Sequence, residues 1–241
     1  MTKQVLDPTK VIQTLSQLHK RISERFPKSG LSKVCLDLQE IAVNAAEKTL
    51  WIARPIWWLR GLVICGVLLF LVTAGAITYL LFQPLFDKGM LKDIASNAEI
   101  EINFMILIGG ATVFLWTLEN RYKRWRALQA LHELRSVAHV IDMHQLTKDP
   151  DRILNFDKKT TSSPQFSMTP YELRRYLDYC SEMLSMVGKI AALYVQNFDD
   201  SVALAEAGEI ETMSTGLSRK IWQKLLILHT IEGRSGQVNT D

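Results

Sequence analysis

Two apolar stretches, Gly61 to Gln83 and Ile102 to Leu118, constrain this chain more than anything else in it. The first, GLVICGVLLFLVTAGAITYLLFQ, carries no charged side chain. As a helix rising about 1.5 Å per residue it reaches about 34 Å, enough to cross a hydrocarbon core of about 30 Å. The second, INFMILIGGATVFLWTL, reaches only about 26 Å and spans if Glu101 and Glu119 sit at the two interfaces. A buried soluble helix is the alternative for it. Against that, a lone first span would leave a second apolar run stranded across the membrane. The fold expected is an all-α membrane protein, a two-helix transmembrane hairpin carrying a cytoplasmic helical bundle.

Overall composition conceals this, because 48% hydrophobic and 22% charged residues is the balance of a soluble protein. Charge asymmetry gives the orientation. Lys48, Arg54 and Arg60 precede the first span, and Arg121, Lys123, Arg124, Arg126 and Arg135 follow the second. The connecting loop has only Lys88 and Lys92 against Asp87, Asp93, Glu99 and Glu101. The positive-inside rule then puts both termini in the cytoplasm of a bacterial cell and the loop outside the inner membrane. Trp57, Trp58 and Trp116 fall near the inner interface and Tyr79 toward the outer one, where amphipathic rings are favoured. The polar stretch before the first span is too long for a cleavable signal, so that span is expected to act as an uncleaved signal-anchor. Arg121, Lys123, Arg124 and Arg126 suit anionic head groups of the inner leaflet. A net charge of +3 gives no ground for nucleic-acid binding. Cys35, Cys65 and Cys180 lie in the cytosol or the membrane on this topology and are expected as buried hydrophobes without disulfides.

The segments divide the chain into residues 1–54 as N-terminal amphipathic helices, 55–120 as the membrane hairpin with spans 61–83 and 102–118 and external loop 84–101, and 121–232 as a cytoplasmic domain. Asp7-Pro8 is an N-cap with proline at the first helical position. Val11 or Ile12, Leu15, Leu18, Ile22 and Phe26 then follow at helical spacing up to Pro27, and Lys28-Ser29-Gly30 breaks the helix. Leu31, Val34, Leu38, Ile41, Ala42 and Ala45 restart the period. These faces pack on neighbouring helices or, since the first carries basic residues, on a membrane surface. After Leu118 no proline or glycine occurs before Pro150, so the second span can run on as a juxtamembrane helix to 148, coupling bilayer and domain. A loop over 149–169 follows. Thr169-Pro170-Tyr171-Glu172 is a capping box that opens a helical hairpin over 170–232. Its first helix carries a heptad seam of Leu173, Leu177, Cys180, Leu184, Val187, Ala191, Tyr194 and Phe198. Asp199-Asp200-Ser201 caps its second, whose weaker seam is Ala205, Met213, Leu217, Ile221, Leu225 and Leu228. The tail 233–241 is expected to be disordered.

Within the membrane, Ala74, Gly75 and Ala76 align in depth with Gly109, Gly110 and Ala111 when the spans run antiparallel. Small residues let helices approach, so the spans meet there or each meets a copy of itself. No ionisable residue occupies the middle of either span, which argues against a secondary transporter.

The densest polar constellation is on the juxtamembrane helix, where His132, Arg135, His139 and Asp142 share one face. Two histidines and an aspartate can ligate a metal, but a guanidinium between them repels a divalent cation, and the spacing is not H-E-x-x-H. An ion-pair strip is the simpler reading, with Glu206 or Glu209 as partners for Arg135 if the hairpin folds back; an anion or head-group site is the other alternative. No Walker loop, G-x-S-x-G elbow or C-x-x-C pair is present. No cofactor or resident metal is expected.

AHVIDMHQLTKDP, YLDYCSEMLSMVGKIAALYVQ and LSRKIWQKLLIL resemble segments of a group of bacterial membrane proteins with two spans and cytoplasmic helices, from the first span nearly to the C-terminus. That group carries no assigned activity, so the resemblance implies the architecture alone. The layout is also similar to the two-helix membrane effector modules of bacterial conflict systems. The functional expectation is a non-enzymatic homo-oligomeric scaffold or partner-binding subunit, with the lipid bilayer and a cytoplasmic protein as its partners. The alternatives are an oligomeric pore gated by the cytoplasmic helices, and a membrane-bound metal-dependent enzyme using the His132, His139 and Asp142 face.

Overall fold

The computed structural model describes residues 5–53, 57–82, 91–150 and 168–238. These residues form six helices and, among them, no strand: α1 (Pro8–Arg25), α2 (Gly30–Ala53), α3 (Trp57–Phe82), α4 (Leu91–Leu146), α5 (Pro170–Val195) and α6 (Ser201–Val238). The protein is all-α. The chain divides into two compact units, Met1–Ala53 with Arg126–Asp241, and Arg54–Trp125.

In the first unit the helix starts follow local chemistry. Asp7 accepts from the Thr9 amide at 2.9 Å ahead of Pro8. Thr169 and Glu172 cap α5 reciprocally, the Thr169 amide donating to Glu172 at 2.8 Å and the Glu172 amide to Thr169 at 3.2 Å. Asp200 accepts from the Val202 and Ala203 amides at the start of α6. Each such cap supplies an acceptor to an amide that has no partner inside the helix, an effect of about 1 kcal/mol.

The core centres on α5. Its predicted seam, Leu173 through Tyr194, is buried, with Phe198 half-buried. A second stripe, Tyr176, Tyr179, Met183, Met186, Ile190 and Leu193, is buried as well. α5 therefore packs on α6 with one face and on α1 and α2 with the other. The apolar positions of α1 (Val11, Leu15, Leu18, Ile22) and of α2 (Leu31, Val34, Leu38, Ile41) join the same core, as do Leu131, Leu134, Ala138 and Ile141 of α4. Phe26 stands edge-on to Tyr176 and Tyr179, at 5.4 and 6.3 Å between ring centres. The buried Thr49 hydroxyl lies 2.7 Å from the Ala45 carbonyl and 3.0 Å from that of Leu193, which satisfies it between α2 and α5.

Several boundaries differ from expectation. The helical backbone of α4 begins at Leu91, inside the expected external loop, and runs for 56 residues. α6 stays helical to Val238, past the point where the tail was expected to lose order. The interior face of α6 starts with Ala203, Ala207, Ile210 and Ser214, and Ala205 is exposed. Ala203, Ala205 and Ala207 alternate there with Val202, Leu204, Glu206 and Gly208, so the apolar period is faint before Leu217. Most of the expected loop 149–169 lies outside the described residues.

In the second unit, α3 has no preferred apolar side, because nearly every position is apolar. Among the described residues no helix is long and apolar enough to cross a membrane. The side chains described in α3 run unbroken only from Arg60 to Ala76, so the apolar stretch ending at Gln83 is only partly among them.

The cysteines are free, with Cys35 and Cys180 buried and Cys65 exposed on α3. Burial pushes the Cys35 and Cys180 thiols up to about 12, with Glu182 adding to the effect on Cys35. At about pH 8 only about one part in ten thousand of either is the reactive thiolate. Neither is expected to react with a water-soluble disulfide reagent until the protein is unfolded. Rapid labelling of Cys180 in the folded protein, located by peptide mass mapping, would contradict the packing of α5.

Candidate functional site

The end of α4 holds the predicted polar cluster. Its core-facing residues, Leu131, Leu134, Ala138 and Ile141, leave Arg135 at the edge of the buried stripe. The Arg135 guanidinium meets Glu206 at 2.9 Å and Glu209 at 2.8 Å, two carboxylates one helical turn apart on α6. His132 and His139 are exposed, and Asp142 accepts a 2.6 Å hydrogen bond from Gln145. The four residues share a helix without sharing a site, because α6 draws the arginine to itself. Among the described residues no three His, Cys, Asp or Glu side chains gather as a metal would need, and His132, His139 and Asp142 form no such group.

The structure draws in residues that sequence reasoning passed over. His144 lies between α2 and α5, its Nδ1 3.4 Å from the Tyr176 hydroxyl. A Cβ on Gly30 would come within 2.7 Å of the His144 ring, so the imidazole rests where only glycine leaves room. Lys224 reaches from α6 to donate to the carbonyls of Gln145 (2.7 Å) and Lys148 (3.2 Å), placing a cation on the negative end of α4. Lys148 lies over the Tyr176 ring at 5.2 Å. The one local signal for this assembly was Ser29-Gly30 ahead of a fresh apolar period. Its association with His144 depends on two helices far apart in the chain.

Comparison with known families, curated proteins and solved structures finds no match. The geometry alone must therefore carry the functional reading.

Burial, followed by the Lys148 charge, holds His144 below the usual histidine range. Its unfolded value of about 6.5 is higher, so the unfolded chain takes up the proton first. The neutral ring's contribution is complete above about pH 6.5 and is lost as pH falls through the folded value. Thermal unfolding measured at descending pH is expected to show a smaller loss between about pH 7.5 and 5.5 in His144→Gln than in the natural protein. Identical pH profiles would refute this assignment.

The residues expected at the inner leaflet, of which Arg121, Lys123 and Arg124 belong to the second unit and Arg126 to the first, differ among themselves. Lys123 is buried, 2.8 Å from Glu119 one turn earlier, and Glu119 also meets Arg60 at 3.4 Å. Lys123 is thus held by a carboxylate, not extended outward; Arg121 is exposed, and Arg124 and Arg126 are half-buried. The close approach of α3 and α4 also differs from the expected alignment. A Cβ on Gly66 would sit 3.2 Å from the Thr112 hydroxyl, and one on Gly109 would sit 3.7 Å from the Phe70 ring. Gly75 and Gly110 face open space, and Ala76 and Ala111 are exposed. The helices meet where a glycine faces a larger side chain, instead of small residue against small residue.

Proposed function

We propose that the chain is an integral protein of the bacterial inner membrane, with both termini cytoplasmic, and that it acts as a non-enzymatic homo-oligomeric scaffold. The observation that carries this reading is the exposure of large apolar side chains over more than half of the circumference of α3. Leu62, Ile64, Val67, Leu68, Leu69, Leu71 and Val72 are exposed, and at 100° per residue they cover an arc of about 220°, leaving only the side with Val63, Gly66 and Phe70 less exposed. Ile102, Ile106, Leu107, Val113 and Phe114 are exposed along one side of α4, over an arc of about 140°. Water does not support such a surface, whereas hydrocarbon does. Arg60, Arg121 and Arg124 flank the apolar segments on the side assigned to the cytoplasm.

The heptad seam of α5 supplies no support for oligomerisation, since it is spent inside the chain's own core. Support comes instead from Gly75 and Gly110, small positions open to a neighbouring helix. Light scattering on the protein in detergent and in lipid nanodiscs tests this. A defined oligomer is expected, dissociating in Gly75→Leu or Gly110→Leu. A strict monomer in both media would overturn the scaffold reading while leaving the membrane assignment to be judged by extraction.

A further inference from the structure

In the second unit α3 and α4 run antiparallel, with Arg60 against Glu119, Gly66 against Thr112 and Phe70 against Gly109. A cleft of about 520 Å³ opens between them at the Arg60 end. Its lining changes character along the helix axes. Arg60, Glu119, Asn120 and Lys123 form one end; Val63, Ile64, Leu115 and Trp116, about one helical turn further in, form the other. Lys123 is buried and committed to Glu119 at 2.8 Å, so that pair is neutral within the fold. Arg60 differs. It reaches the same carboxylate through Nε at 3.4 Å, and 54% of its side chain stays exposed. Two cations on one carboxylate leave the polar end with one positive charge in excess, and its accessible part is on Arg60. Asn120, at the same end, is exposed. The apolar end is open as well, with Ile64 and Trp116 both exposed.

We propose that this cleft holds one anionic phospholipid of the inner leaflet, its phosphodiester on the Arg60 guanidinium and the Asn120 amide and an acyl chain laid on Ile64 and Trp116. The inference rests on the reading of α3 and α4 as spans. On that reading the charged end of the cleft is the cytoplasmic one and the apolar end lies deeper. An amphiphile then meets charge and hydrocarbon in the order in which the leaflet presents its own head groups and chains. A soluble anion uses only the first half of the cleft. A planar guanidinium offers paired donors to a phosphate, and an indole ring is favoured where head groups meet chains. The single excess positive charge matches the single negative charge of a phosphodiester, whereas phosphatidylethanolamine adds an ammonium that Arg60 repels. Lys123 acts here only through Glu119, whose charge it shares with Arg60.

The test uses the full chain in detergent, stripped of lipid and titrated with phosphatidylglycerol or phosphatidylethanolamine, with bound lipid counted by native mass spectrometry. One phosphatidylglycerol per chain is expected to bind ahead of any further lipid, about fivefold more tightly than phosphatidylethanolamine. Arg60→Gln is expected to weaken it about fivefold to tenfold and to abolish the preference. Arg60 is exposed, so this substitution leaves the helices packed and keeps the test readable if a variant at Glu119 unfolds. Glu119→Gln is expected to act in the opposite direction, strengthening binding about fivefold, because both cations lose the carboxylate that competes with the phosphate. Mere loss of packing would weaken it. Glycerophosphoglycerol, the head group without its chains, is expected not to compete; displacement by it at equal concentration marks a site for a soluble phosphodiester and overturns the lipid assignment. Equal binding by Arg60→Gln and the natural protein, or no preference between the two lipids, overturns it as well. Release of the natural protein by alkaline carbonate removes the membrane reading itself, whereas resistance to carbonate combined with any of those results removes this site alone.

Discussion

Replacing Leu69 by arginine is expected to abolish stable membrane insertion, and this is the largest effect foreseen for a single surface residue. Leu69 is 54% exposed near the middle of α3. In water such a change costs at most about 0.5 kcal/mol and favours solubility. In a bilayer, arginine at a helix centre costs about 3 kcal/mol where leucine gains about half of one, a swing of more than about a hundredfold in the insertion equilibrium. The natural protein is expected to float with membranes and resist alkaline extraction, and the variant to appear in the extracted or degraded fraction. If the natural protein is extracted by carbonate, or if Leu69→Arg is more soluble and equally stable, α3 is not a span.

Leu177→Ala is expected to destabilise the first unit by about 3 kcal/mol, in the range for a leucine removed from a packed interior. Leu177 is wholly buried at the centre of the α5 core. The direction of this result also separates two roles for the heptad seam. A seam used between subunits would lose its oligomer on substitution and show stability that depends on protein concentration. A seam buried within one chain lowers the unfolding temperature at every concentration. Thermal unfolding followed by helical circular dichroism over a tenfold concentration range distinguishes them, with the concentration-independent loss expected. Trp222, 66% exposed on α6, provides the contrast, and its replacement by alanine is expected to change stability by less than about 0.5 kcal/mol.

Much of the helical layout was legible because its signals are local. Asp7-Pro8 and Thr169-Pro170-Tyr171-Glu172 mark helix starts through atoms only a few residues apart, and the caps form with those partners. The stripes of α1 and α2 are readable for a similar reason: a helix that buries one face must repeat its apolar residues every three or four positions. The candidate site was less legible. Glu206 and Glu209 were nameable as partners of Arg135, but that they take it away from His132, His139 and Asp142 follows from how α6 lies along α4. Local spacing likewise said nothing of Gly30 beneath His144 or of Lys224 on the end of α4, since those contacts join residues distant in the chain.

By itself, then, the sequence determined an all-helical chain, the starts of its capped helices and the two apolar stretches, because hydrogen bonding within a helix and the period of its side chains are short-range properties. Only the tertiary structure decided that α5 is buried on two faces, that Lys123 is committed to Glu119, and that Arg60 and Trp116 border one cleft. A periodic pattern states that a face will be covered. What covers it depends on the packing of every helix at once.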